Sequence, residues 1–77
     1  MANTQTFAKD RQVLLYTDED GFWIAEVPSL RGCISDGATR EEAMERIKEA
    51  IELWIEAAIA HNEDIPEDFT PITIERV

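Results

Sequence analysis

The sequence predicts an α+β domain: a three- to four-stranded, mainly antiparallel sheet with one long helix packed on it, in the order β-β-β-α-β. Three observations carry this. Residues 12–17 and 22–27 are rich in β-branched and aromatic side chains, and the turn-forming Asp18-Glu19-Asp20-Gly21 separates them. Residues 40–60 repeat apolar side chains at helical spacing behind a helix-start signal. Residues 70–77 return to strand-like alternation at Ile72 and Ile74. A chain of 77 residues makes one domain. It is assigned to 10–77, after a flexible N-terminus, 1–9, in which Phe7 is the one aromatic side chain.

Taken in order, the first strand is Gln12-Val13-Leu14-Leu15-Tyr16-Thr17. Asp tolerates the left-handed region and Gly21 supplies positive φ, so the next four residues close a hairpin. The second strand, 22–27, alternates incompletely, because Phe22, Trp23 and Ile24 are consecutive and apolar. That predicts cover on both faces there, from the helix on one and a second subunit on the other. Pro28 has no N–H and ends the ladder. Leu30 is expected to tuck under the loop, Gly32 to permit a bend, and Cys33-Ile34-Ser35 to form a short third strand closed by Asp36-Gly37.

Thr39-Arg40-Glu41-Glu42 reads as a capping box: the Thr39 hydroxyl accepts from the Glu42 N–H, and the Glu42 carboxylate reaches back to the Thr39 N–H. The helix behind it, about 40–60, spans roughly 30 Å at 1.5 Å per residue. One face collects Ala43, Met44, Ile47, Ala50, Ile51, Trp54, Ile55 and Ala58; the other carries Glu42, Glu45, Glu49, Glu52 and Glu56. Leu53 and Ile59 fall outside the apolar arc. His61-Asn62 ends the helix without glycine, asparagine being the next best left-handed residue. An acidic loop containing Ile65-Pro66 leads to the last strand, with Pro71 at its start or edge.

Composition narrows the function. A domain this small buries only about 60–65% of its unfolded surface. One cysteine permits no internal disulfide, and no Cys/His cluster offers zinc. Self-association into a dimer or tetramer is the expected extra source of burial. The free thiol, a start without basic or long apolar segments and the absence of an ~18-residue apolar run predict a cytoplasmic protein without membrane contact. Seventeen acids against seven bases give a net charge of −10. Phosphate backbones are disfavoured as partners, and a basic protein is favoured.

No catalytic constellation is present. The acidic turn at Asp18 to Gly21 lacks EF-hand chemistry, since Tyr16 and Val27 stand where acids are needed. The glutamate stripe makes a poor chelate without a second element and reads as a solvated helix face or a docking surface. His61, the single histidine, has no nucleophile or orienting partner in view and sits where it can meet the last helix carbonyls. Cys33 reads as a buried small apolar residue. Trp54 is centred on the core face; Trp23 fits either the core or an interface. The partner-binding candidates are therefore Trp23, Glu45, Glu49, Glu52 and Glu56; no catalytic, metal-binding or cofactor-binding residue is assigned.

One stretch also carries a family likeness. Asp20-Gly21, Trp23, Ala25-Glu26-Val27-Pro28, Leu30, Gly32-Cys33, Gly37 and Thr39, continued by Glu41-Glu42-Ala43 and Glu49-Ala50-Ile51, resemble the HicB family of bacterial antitoxin and antitoxin-like domains. With the first strand and the Ile65-Pro66 tail, the resemblance covers nearly the whole chain after Lys9. It implies an incomplete RNase H-like β-β-β-α-β unit without the nuclease carboxylates. It also implies a partner: a HicA-type toxin, a small basic mRNA-cleaving ribonuclease whose catalytic histidine is occluded. Such antitoxins usually add a C-terminal DNA-binding domain; this chain stops at Val77, so it reads as a stand-alone domain that does not itself bind operator DNA. The expected function is thus a non-enzymatic antitoxin domain. The alternative is an orphan oligomeric structural or small-ligand-binding domain with no toxin partner. A minimal Mg²⁺-dependent nuclease is the third reading, and it lacks converging carboxylates.

Overall fold

The computed structural model describes residues 4–9 and 11–68. It contains β1 (Thr4–Ala8), β2 (Arg11–Thr17), β3 (Trp23–Glu26), β4 (Ile34–Gly37) and α1 (Arg40–Ala60). The four strands form one antiparallel sheet in the order β1-β2-β3-β4. The α+β class and the single long helix on a small antiparallel sheet agree with expectation. The strand expected at 70–77 lies outside the described residues.

The N-terminal segment departs from the sequence reading. Residues 4–8, expected to fray, pair with β2 from Thr4↔Leu15 to Ala8↔Arg11. The chain turns at Lys9, which takes a φ of 51°. Two-residue hairpin loops need this left-handed geometry, which usually brings glycine or asparagine. Here lysine adopts it, and its ammonium meets Glu52 on α1 at 2.6 Å, tying the turn to the helix. Lys9 itself carries no such turn signal in the sequence.

The second hairpin follows its chemistry closely. Asp18 Oδ1 accepts from the N–H groups of Asp20 and Phe22, both at 2.9 Å, and Gly21 takes a φ of 86°. β3 is shorter than expected, because Phe22 belongs to the turn and Val27 to the following loop. In that loop Leu30 donates to the Val27 carbonyl and Cys33 to that of Leu30, while Val27 donates to Cys33. These bonds turn the chain back so that Val27, Leu30 and Cys33 are all buried. The strand expected at 33–35 begins one residue later and runs to Gly37.

Strand alternation sorts the sheet into two faces. Val13, Leu15, Ala25 and Val27 point to one side and form a closed cluster with Leu30, Cys33 and Ala43, Ile47 and Ile51 of α1. Met44, Ala50, Trp54 and Ile55 pack against its margin. Gly37 admits the helix: a Cβ there would lie 2.6 Å from the Ala43 nitrogen.

α1 spans the predicted range. Thr39 Oγ1 accepts from the Glu42 N–H at 3.1 Å, as expected, but the reciprocal half of the capping box differs: Glu42 Oε1 accepts from the Ala38 N–H at 3.2 Å, one residue upstream. Thr39 is extended, and Glu42 also holds Arg46. At the other end Asn62 takes a φ of 56°, Glu63 donates to the Ala58 carbonyl, and His61 Nδ1 lies 2.8 Å from the Ala57 carbonyl oxygen. The chain then returns toward the sheet, where Asp68 Oδ2 accepts from the Gln12 N–H at 3.0 Å.

Candidate partner-binding surfaces

Glu45, Glu49, Glu52 and Glu56 line the solvent face of α1, all exposed. Two of them have cations at hand: Lys48 lies 3.8 Å from Glu45, and Lys9 pairs with Glu52. The hydrogen bond and charge of Glu52 raise the Lys9 pKa above the ordinary lysine value. Beside the stripe, Leu53 and Ile59 are 64% and 65% exposed, so two large apolar side chains interrupt the acidic surface. Arg46 stands at its start, 3.2 Å from Glu42 and 3.6 Å from Asp36.

Trp23 is not brought to this stripe. On β3 it shares the face of Ala25 and lies in register with Gly37 and Thr17. It is half-buried against the core under α1. Trp54 is half-buried too, and its indole N–H donates to the Arg31 carbonyl at 2.9 Å.

The opposite face of the sheet presents a surface the sequence reading did not assign. Register aligns Leu14, Glu26 and Ile34 in one row across β2, β3 and β4, and Tyr16, Ile24 and Asp36 in the next. Ile34 is 52% exposed and Phe22, beside the hairpin turn, 48%. The consecutive Phe22-Trp23-Ile24 called for cover on both faces; α1 covers Trp23, while among the described residues no helix or strand packs over Ile24. The signal was the odd–even parity of each strand, which becomes a patch only once the register is known.

Glu26 lies within that surface. Its Oε1 accepts from the Tyr16 hydroxyl at 2.5 Å. That hydrogen bond, with burial and the Glu26 charge, pushes the Tyr16 pKa up to about 12. No cation stands within ion-pair distance of Glu26 among the described residues. A shallow groove of about 330 Å³ runs past Leu14, Glu26, Pro28 and Ile34 to a rim at Arg31. A neighbouring depression of about 290 Å³ lies over Ile24, Ile34 and Asp36.

Cys33 is buried, and desolvation raises its thiol pKa, opposed by the Arg11 charge. Among the described residues no group of three or more His, Cys, Asp or Glu side chains could hold a metal ion. Nor is any described helix long and apolar enough to cross a membrane.

Comparison with known proteins bears on the same residues. A family described as "HicB_like antitoxin of bacterial toxin-antitoxin system" matches residues 12–76. A UPF0150 protein of Thermoplasma acidophilum is 48% identical over 56 residues, 73% of this chain and 81% of its own length. Two UPF0150 proteins of Synechocystis are 48% and 37% identical, over 73% and 70% of this chain and 71% and 74% of their own lengths. No solved structure matches. The matched span runs from β2 through the Pro28–Gly32 loop and α1, where the turn glycines, the buried sheet face and the helix cap reside, and on this ground the chain belongs to the HicB-like antitoxin family of bacterial toxin–antitoxin systems.

Proposed function

We propose that this chain is a non-catalytic cytoplasmic antitoxin domain that binds a HicA-type, mRNA-cleaving ribonuclease and occludes its active site. The observation that carries the reading is the family match over residues 12–76. The electrostatics support it: a net charge of −10 faces a toxin class that is small and basic. Complementary charge raises the encounter rate of such pairs and disfavours wrong partners.

Glu45, Glu49, Glu52 and Glu56 form the steering surface in this proposal, with Glu49 and Glu56 free of ion pairs among the described residues. Trp23 is the aromatic candidate at the hairpin, half-buried against the core. Self-association into a dimer or tetramer belongs to the proposal as well, because a 77-residue chain with a single cysteine has a small core and no internal disulfide. Sedimentation across a concentration series reports that point separately. Operator DNA is disfavoured as a partner, since seven bases stand against seventeen acids.

The test is direct. The chain is co-expressed with any small basic ribonuclease encoded beside it, purified, and assayed for RNA cleavage with and without added antitoxin. Stoichiometric co-purification with loss of cleavage is expected. Undiminished cleavage in the presence of excess chain would remove the reading's main support.

A further inference from the structure

We infer that a basic protein partner is anchored on the outer face of the sheet, where one of its arginines or lysines enters against Glu26 inside a frame of Leu14, Tyr16, Ile24 and Ile34. The partner's identity rests on the proposed toxin binding; the choice of face does not.

The argument begins with what a carboxylate does in that position. Glu26 is half-buried on β3, flanked across the ladder by Leu14 and Ile34. One oxygen is taken by Tyr16, and the other has no hydrogen-bond donor among the described residues. A carboxylate can accept several donors, and pairing with a guanidinium or ammonium satisfies it most strongly. Surrounding apolar side chains exclude water and strengthen such a pair, the arrangement in which interface anchors concentrate their energy. Tyr16 holds the carboxylate in place before any partner arrives, so little ordering remains to be done on binding.

Charge decides between occupants. The acids around the frame are Glu26 itself, Asp36 in the adjacent row and the Asp18-Glu19-Asp20 turn at one end, against Arg31 on the groove's rim. Two copies of the chain meeting through this face would bring both Glu26 carboxylates and both acidic turns together as desolvation begins. Like charges juxtaposed in an interface are strongly unfavourable. A basic partner reverses that sign. The α1 stripe cannot supply the same anchor: its glutamates are exposed and hydrated, and Glu45 and Glu52 already face lysines. Exposed charges of that kind change association rates more than they hold a complex together.

The test has two arms. In the first, the ¹⁵N-labelled full chain is titrated with n-butylguanidinium chloride, a probe with one cationic head and a short apolar stem. Amide shifts are expected to cluster at Leu14, Tyr16, Ile24, Glu26 and Ile34, and Glu26→Gln, which keeps an acceptor for Tyr16, should weaken them by about fivefold. Shifts concentrated on Glu45 to Glu56, or none on the sheet face, would overturn the inference; in the latter case the face is closed by the chain's own last residues or by a second copy. In the second arm, Glu26→Gln and Ile34→Ala should each weaken binding of the co-encoded ribonuclease by about tenfold, mainly through faster dissociation. Glu49→Gln with Glu56→Gln should act mainly on the association rate. A wild-type chain that binds guanidinium on the sheet but no ribonuclease would refute the proposed function and leave the face standing. Binding of the ribonuclease unaffected by both sheet-face variants would refute the face and leave the function.

Discussion

Single side chains show most directly which local arrangements the fold depends on. Tyr16 is the protein's one tyrosine, so its ionisation can be followed by absorbance near 295 nm without overlap from another phenol. Its folded pKa of about 12 lies above the unfolded value of about 10. A group raised in this way contributes stability that is complete below about pH 10 and is lost as pH climbs toward 12. The native chain should therefore titrate near 12. Glu26→Gln should bring the midpoint down, since the partner's charge is removed and its hydrogen bond weakened; a wild-type midpoint near 10 would show that the Tyr16–Glu26 bond does not persist in solution. Gly37 presents the steric counterpart. An alanine Cβ would stand 2.6 Å from the Ala43 nitrogen and 2.9 Å from the Glu42 Cβ, both held by the first turn of α1. Gly37→Ala should cost about 2–3 kcal/mol in urea unfolding, as overpacking at a rigid contact does.

At the level of elements, the helix was legible because its signals are local. Thr39 before an apolar repeat, and Asn62 after it, bracket α1 with no reference to anything distant. Thr39→Ala should cost about 1 kcal/mol by removing the acceptor for the Glu42 N–H. Leu53→Lys, on the exposed face, should change stability by less than about 0.5 kcal/mol, and a larger loss would mean that Leu53 is covered in solution. The hairpin at Gly21 was legible for the same reason. β1 was not, because Lys9 occupies a left-handed position without glycine, and its ion-pair partner, Glu52, is more than forty residues away on the helix. The candidate surface divided in the same manner. Helical spacing alone exposes the glutamate stripe. The Glu26 frame needs three strands in register, since Leu14, Glu26 and Ile34 share nothing in the linear sequence except their parity within separate strands.

For the whole molecule the governing quantity is charge. Ten excess negative charges on a domain of 77 residues repel one another in the compact state. Opposing this are surface ion pairs, Lys9–Glu52, Arg46 with Glu42 and Asp36, and Lys48–Glu45, which salt would weaken. Exposed pairs of this kind contribute little and act over a few ångströms, whereas the excess charge acts over the full Debye length, about 30 Å at 0.01 M and 10 Å at 0.1 M. Screening should therefore remove more repulsion than attraction. Raising NaCl from about 0.01 M to 0.3 M should stabilise the chain by roughly 1 kcal/mol, a rise in Tm of about 4–8 °C for a domain of this size. Dilute samples distinguish the origin of the effect, since screening also promotes self-association and any gain from that source grows with protein concentration. A concentration-independent rise places the effect in the folded chain itself. A Tm that falls with salt would mean that the ion pairs outweigh the net charge, with Lys9–Glu52, which ties the N-terminal hairpin to α1, the first pair to remove.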